Sequence, residues 1–329
     1  MKTRIGLCVG VWVLVALTAP VIGQEEKEAA SPWDKLGKPA APLSGLRWIK
    51  GEPVKMEKGS VYVVEFWATW CGPCLTSIPH LTEVQDQFKD RGVTIIGIST
   101  ETADKVKPFV AEKGDTMNYT VAIDPGRQVS KGYMGAFGVR GIPHAFIVGK
   151  NGNLLWHGHP MAGLDDVLEQ VVAGSFDYIA YAKKQAAEEK EQVRVLALYK
   201  SYFTTVETDR DEAARIGRQL VEGPDNPMML NALAWRILTD VPQEHRDLEL
   251  ARQAAAKAVK LTEEKNPSML DTYARALYEL GKKYVADAAT QQKKAIALVE
   301  ANDDMPDGLK KFLDGLKKTL ERYESASVQ

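Results

Sequence analysis

Only three cysteines, Cys8, Cys71 and Cys74, occur in 329 residues, which excludes a small scaffold stapled by many disulfides. Neither sign of charge dominates, since 42 Lys and Arg stand against 44 Asp and Glu for a formal net charge of −2. Such a chain has no global field with which to grip nucleic acid or anionic lipid, so proteins and small molecules are the expected partners. A long hydrophobic run is also missing. The apolar stretch Ile5–Ala19 behind Met1-Lys2-Thr3-Arg4 falls short of the roughly 20 residues that a spanning helix needs. With 45% hydrophobic and 26% charged residues, the chain is otherwise of ordinary globular composition and long enough for about two domains.

The basic start, the short apolar run and the small-x-small pattern at Val21-Ile22-Gly23 read as a secretory signal peptide over residues 1–23. Export to the periplasm or another extracytoplasmic space is therefore expected, with membrane anchoring if the segment is not cleaved. Cys8 lies inside the apolar run, so cleavage leaves only Cys71 and Cys74. As a structural clip this pair would close too small a loop to restrict the unfolded chain much. As half of a zinc site it would need further soft ligands, and no other cysteine survives export. No metal and no bound cofactor are expected.

What the chain does have is Glu65-Phe66-Trp67-Ala68-Thr69-Trp70-Cys71-Gly72-Pro73-Cys74, two thiols one helical turn apart behind a β-rich run. If the strand ends near Ala68 and a helix begins near Cys71, the first sulfur lies among unpaired helix N–H groups whose partial positive charge favours a thiolate. Cys71 is then the nucleophile, and Cys74 is placed to attack a mixed disulfide at Cys71 and release what it holds.

Residues 24–38 are polar, Ala-rich and Pro-containing, which predicts a solvated linker. From Pro39 onward the pattern predicts strands at Gly45–Lys50, Ser60–Ala68 and Val93–Ser99, helices at Leu75–Lys89 and Ala103–Lys113, and an extended stretch at Tyr119–Ile123. Asp124-Pro125-Gly126 marks a turn and is followed by a Gly-rich helical piece to Gly138. Asn151-Gly152 predicts a hairpin between His144–Val148 and Leu154–Trp156. Leu164, Val167, Leu168 and Val171 predict a last helix, capped by Gly174. Residues 39–174 thus form one α/β domain. Over 175–329 strand signals vanish. Asn226-Pro227 through Leu261 is echoed by Asn266-Pro267 through Leu298, which predicts an all-α domain of helical hairpins, the first lengthened near Pro242–Arg246.

Val64–Cys74 closely resembles the thioredoxin active-site segment, Gly138-Val139-Arg140-Gly141-Ile142-Pro143 resembles that family's cis-proline loop, and Pro79 falls where the family kinks its active-site helix. The resemblance covers roughly Pro39–Gly174. With the signal peptide and the long segment between Thr100 and Val139, it is similar to the exported TlpA/ResA-type branch. It implies an α/β thioredoxin-like sandwich, a central mixed sheet flanked by helices, followed here by the helical domain, which resembles a degenerate tetratricopeptide array.

The resemblance further implies that Glu65 is a buried carboxylate beneath the dithiol that takes the proton of Cys74, and that Pro143 is cis and presents the Ile142 backbone as an edge for an extended substrate. Gly72 and Pro73 resemble the reducing thioredoxins, Trp70 is a rim residue, and Trp67 is a packing residue. His144 either lies near Cys71 as a cation or is a hydrogen-bonded strand histidine. The family's lysine near the carboxylate falls at about Gly97, which leaves proton handling to Glu65 alone. His157 and His159 share a strand face, but two imidazoles without a third ligand make a poor metal site. The expected activity is extracytoplasmic thiol-disulfide exchange on a disulfide-bearing protein client, supplied by an upstream thiol electron donor, with protein–protein contacts through the helical domain and no nucleic acid. The competing readings are a non-catalytic binding scaffold, a copper chaperone, whose cysteine spacing is usually wider, and a peroxiredoxin-like peroxidase, whose lead-in is missing because Thr69 lies two residues before Cys71 rather than three.

Overall fold

The computed structural model describes residues 31–302 and 305–327. The expected signal segment and residues 24–30 of the expected linker lie outside them. The chain divides into two units between Lys183 and Lys184.

The first unit is built on a six-stranded mixed sheet: β1 (Arg47–Lys50), β2 (Val61–Trp67), β3 (Val93–Ser99), β4 (Thr120–Ile123), β5 (His144–Val148) and β6 (Leu154–Gly158), in the order β1-β4-β3-β2-β5-β6. β2, β3 and β4 run parallel, while β1, β5 and β6 are antiparallel to their neighbours. β2 is buried at every position, as its nearly unbroken apolar run requires of a strand covered on both faces. Alternation sends Val61, Val63 and Trp67 to one face, packed with α1 (Gly72–Phe88), α2 (Ala103–Lys113) and α4 (Leu164–Ala173). Tyr62, Val64 and Phe66 go to the other, where Tyr133, Phe137 and Phe146 form an aromatic cluster. The Gly-rich piece is the short α3 (Gln128–Ser130) running into a π-turn at Lys131–Gly135.

The boundaries of β3, α2 and β5 fall where the apolar runs place them. Gly174 closes α4 at φ 77°, its N–H turned to the Gln170 and Val171 carbonyls. Between β5 and β6 the loop spans Gly149–Asn153, with Gly152 at φ 84° and its N–H on the Gly149 carbonyl.

The solvated linker is corrected over 31–38. Ser31 caps a 3₁₀ turn at Pro32–Lys35, Leu36 is buried, the Trp33 ring stacks 4.3 Å from His157, and Gly37 N donates to the Leu154 carbonyl. Two apolar side chains in a polar run were enough to dock it on β6. The unit also extends past Gly174. The first turns of α5 (Tyr178–Thr205) belong to it, because Tyr178 and Tyr181 pack into the aromatic side of the sheet and the Tyr178 ring lies over Gly37.

The second unit holds the rest of α5 and α6 (Arg210–Glu222), α7 (Pro227–Thr239), α8 (Leu248–Leu261), α9 (Pro267–Glu279), α10 (Val285–Glu300) and α11 (Asp307–Ser327). The internal echo is structural: Asn226 and Asn266 cap α7 and α9 by accepting from Met229 N and Met269 N, with Pro227 and Pro267 in the first turn. From α7 to α11 each helix packs on the next. Buried alanines on α8 and α10, such as Ala254, Ala258 and Ala295, leave room for that approach.

Because Leu36 is buried, Leu36→Ala should lower the stability of the first unit by about 2–4 kcal/mol. Urea unfolding of the full chain checks it. A change within about 0.5 kcal/mol would mean that the segment is not part of the core.

Candidate active site

β2 ends at Trp67, and Ala68, Thr69 and Trp70 turn the chain into α1. Cys71 takes an extended conformation (φ −84°, ψ 100°) and is the N-cap, its Sγ accepting from Cys74 N at 3.2 Å. A sulfur here meets the open end of the helix, where unpaired N–H groups stabilise negative charge. Pro73 fits the first turn, where its missing N–H leaves no orphaned acceptor. Cys71 and Cys74 are joined as a disulfide. Cys74 is fully buried and Cys71 is 4% exposed, whereas Trp70 is 73% exposed and Gly72 and Pro73 are open to solvent. A partner would therefore reach the disulfide from the Trp70, Gly72 and Pro73 side.

The Ile142–Pro143 peptide is cis, and the Ile142 carbonyl oxygen lies 3.7 Å from Cys71 Sγ. The loop before β5 is thus brought against the N-terminus of α1 from a distant part of the sequence. Glu101 was not foreseen. Its carboxylate accepts from Thr69 N at 2.7 Å and from Thr69 Oγ1 at 3.0 Å, pinning the turn that carries Trp70. Its only sequence signal was a carboxylate just past the carboxyl end of β3, the edge at which sites on such sheets collect.

Glu65 lies on the helix-covered face of β2 with no exposure, opposite Gly97 on β3 and Ala145 on β5. Burial pushes its carboxyl up to about 8, because desolvation penalises the charged form and no cation among the described residues lowers it. His144 is the hydrogen-bonded strand histidine rather than a cation. Its Nε2 is 3.0 Å from Nδ1 of His157, and burial holds it down to about 4 and His157 to about 3, each lowered further by a neighbouring imidazole. His157 and His159 do not pair as ligands, because β6 ends at Gly158, His157 is buried under Trp33, and exposed His159 accepts from Met161 N. Among the described residues no group of three or more His, Cys, Asp and Glu is arranged to hold a metal ion.

With this geometry in view, residues 39–157 match the model of the AhpC/TSA family. The chain is 32% identical to the thiol-disulfide oxidoreductase ResA of Bacillus anthracis over 110 residues, 32% of this chain and 60% of the relative. It is 33% identical to the thiol:disulfide interchange protein HelX of Rhodobacter capsulatus over 102 residues, 30% of this chain and 52% of the relative. A crystal structure of a thiol:disulfide interchange protein of the thioredoxin family from Chlorobium tepidum, 29% identical, aligns with 41% of this chain and 95% of its own at a TM-score of 0.36. The chain spans about three fifths of the length of the ResA relatives it matches. The family-model match lies within the first unit, whose strand order, N-cap dithiol and cis Ile142–Pro143 peptide make a thioredoxin-like arrangement.

The buried carboxyl gives the oxidised protein a pH signature. Its folded pKa of about 8 lies above the ordinary 4.5, so the fold binds a proton that the unfolded chain has already lost. The stability this brings is complete below pH 4.5 and is lost as the pH rises through about 8, a swing of the order of 5 kcal/mol. In Glu65→Gln the swing should be absent. Urea midpoints between pH 4 and 9 for the two proteins check it, and parallel curves would show that Glu65 titrates normally.

Proposed function

We propose that this protein is an extracytoplasmic thiol-disulfide oxidoreductase that reduces disulfides of a protein client. The observation that carries the reading is Cys71 as the N-cap of α1, bonded to a buried Cys74 and faced by the Ile142 carbonyl. The names of the ResA and HelX relatives agree with it.

The cycle begins when an upstream dithiol donor gives two electrons to the Cys71–Cys74 disulfide and leaves as a disulfide itself. The freed Cys71 thiolate, held by the helix end, attacks one sulfur of the client disulfide and expels the other as a thiolate. Cys74 then passes its proton to the Glu65 carboxylate and attacks Cys71 Sγ. The mixed disulfide breaks, the two client thiolates take up protons, one from Glu65 and one from water, and the client departs as a dithiol while the chain returns to its disulfide with two electrons transferred. A carboxyl with a pKa of about 8 is close to the ordinary thiol value of about 8.5, so the proton moves between groups of similar affinity. Pro143 shapes the loop that offers the Ile142 backbone to an extended substrate, Trp70 borders the approach, and His144 supports that loop from β5 as a neutral group. Gly72 and Pro73 place no histidine between the cysteines, which favours the reducing direction.

The helical unit is proposed to contact protein, and Val193, Leu196 and Met228 on it are exposed. Export rests on the N-terminal segment. Among the described residues no helix is long and apolar enough to cross a membrane.

Wild-type protein should catalyse dithiothreitol-driven insulin reduction, Cys71→Ser should fall to the uncatalysed background, and Cys74→Ser should accumulate a mixed disulfide with the client in the native compartment. Equal rates for wild type and Cys71→Ser would leave the scaffold reading in its place. N-terminal sequencing of the protein recovered from that compartment should begin near Gln24, and a start at Met1 would argue for retention of the leader.

A further inference from the structure

Four polar atoms on the helix-covered side of the sheet are buried without a hydrogen-bond partner: both carboxylate oxygens of Glu65, Nε1 of Trp67 and the hydroxyl of Tyr119. Leaving such groups unmatched is unfavourable, and a native fold that gathers several of them signals a use. The strand register gathers these. Glu65 faces Gly97 across the parallel pair β2 and β3, and a Cβ placed on Gly97 would lie 2.9 Å from Cε2 of Tyr119 and 3.1 Å from Nε1 of Trp67. The space that a side chain at 97 would fill is taken by an indole N–H and a phenol ring. Both approach the strand position beside the carboxyl group.

Among the described residues, the charged groups around this face are exposed or have partners of their own. On the covering helices Glu83 of α1, Lys107 of α2 and Glu169 of α4 are exposed, while half-buried His80 of α1 and Asp165 of α4 face each other at 3.3 Å and half-buried Lys113 of α2 lies over the Phe109 ring. On β1, Lys50 is spent on the carbonyls of Gly114 and Met117, and at the end of β3 Glu101 is spent on Thr69. The titratable groups buried on this face are Glu65, Tyr119, Cys71 and Cys74.

We propose that Tyr119 is a positioning residue for the dithiol chemistry: with Trp67 Nε1 it supplies neutral donors to the ionised Glu65 carboxylate in place of a cation, and so sets the pH at which Glu65 accepts the proton of Cys74. Tyr119 stays a donor throughout, since burial, and then the Glu65 carboxylate, hold its hydroxyl well above the ordinary range. The contact forms on ionisation, when the carboxylate turns toward the two donors or shares a water with them. Hydrogen bonds to the charged form favour it, so removing the phenol hydroxyl raises the affinity of Glu65 for its proton. The inference rests on the oxidoreductase reading for its meaning, but its measurement does not.

The test uses the reduced full-length chain. The infrared band of the protonated Glu65 carboxyl, assigned by its loss in Glu65→Gln, is titrated with pH. Tyr119→Phe, which keeps the ring and removes a hydroxyl without a partner, should raise the midpoint by about 0.5–1 unit, a three- to tenfold gain in proton affinity. The acid limb of insulin reduction should move upward with it. Site-specific 3,5-difluorotyrosine at 119, a stronger donor of nearly the same shape, should move both downward, which a packing role would not do. A midpoint unchanged in both variants overturns the proposal even if the wild type turns over. Midpoints that move in opposite directions while the wild type reduces no disulfide uphold the Tyr119 contact and overturn the oxidoreductase reading instead.

Discussion

Glu65 occupies the middle of the most buried strand of the sheet, and ionising it there means taking a charge out of water with no cation to receive it. The surrounding structure accommodates the group without neutralising it. Both strand neighbours opposite it are small, Gly97 and Ala145, and the flanking residues of β2 are apolar and buried on both faces. The hydrophobic layers on either side hold the strand in register, and that register keeps the carboxyl dry. Moving β2 by one residue would exchange its two faces and turn Glu65 into the aromatic cluster.

The same strand fixes the dithiol. β2 stops at Trp67, the turn is tied to Glu101 through Thr69, and α1 begins with Cys71 as its cap. Cys74, three residues on, falls on the stripe of α1 that also buries Ser77, Ile78 and Leu81. One cysteine is therefore near the surface and its partner is inside, a difference that follows from helical periodicity alone. Carbonyl and sulfur meet at Ile142 because β5, antiparallel to β2, begins where β2 ends.

Much of this was legible in the residues. The run Val93–Ser99 opens after Gly92 and gives way to polar Thr100-Glu101, and His144–Val148 lies between Pro143 and Gly149, so their ends are where the apolar character stops. The Asn-Pro pairs at 226 and 266 carry their own capping chemistry and marked α7 and α9. What stayed hidden depends on which strands pair and how. His144 meets His157 only because β5 and β6 are adjacent in one register, with Phe146 opposite His157. Tyr119 reaches the space over Gly97 for the same reason. Residues 31–38 failed differently, since composition averaged over the segment concealed Trp33 and Leu36, two side chains large enough to bind it to β6.

Electrostatically, the site works with neutral groups. Half-buried His144 and buried His157 are uncharged through the physiological range, and Glu65 is largely protonated until the pH approaches 8. In the proposed exchange, negative charge on Cys71 would be met mainly by oriented backbone dipoles, the Cys74 N–H foremost among them. Fixed dipoles at a helix end need not reorganise when the charge appears, whereas an imidazolium or a lysine would tie the reactivity of the sulfur to its own protonation. In the proposed cycle, proton transfer to Glu65 is thereby left as the pH-sensitive step, and the sulfur chemistry at Cys71 is separated from the proton chemistry behind Cys74.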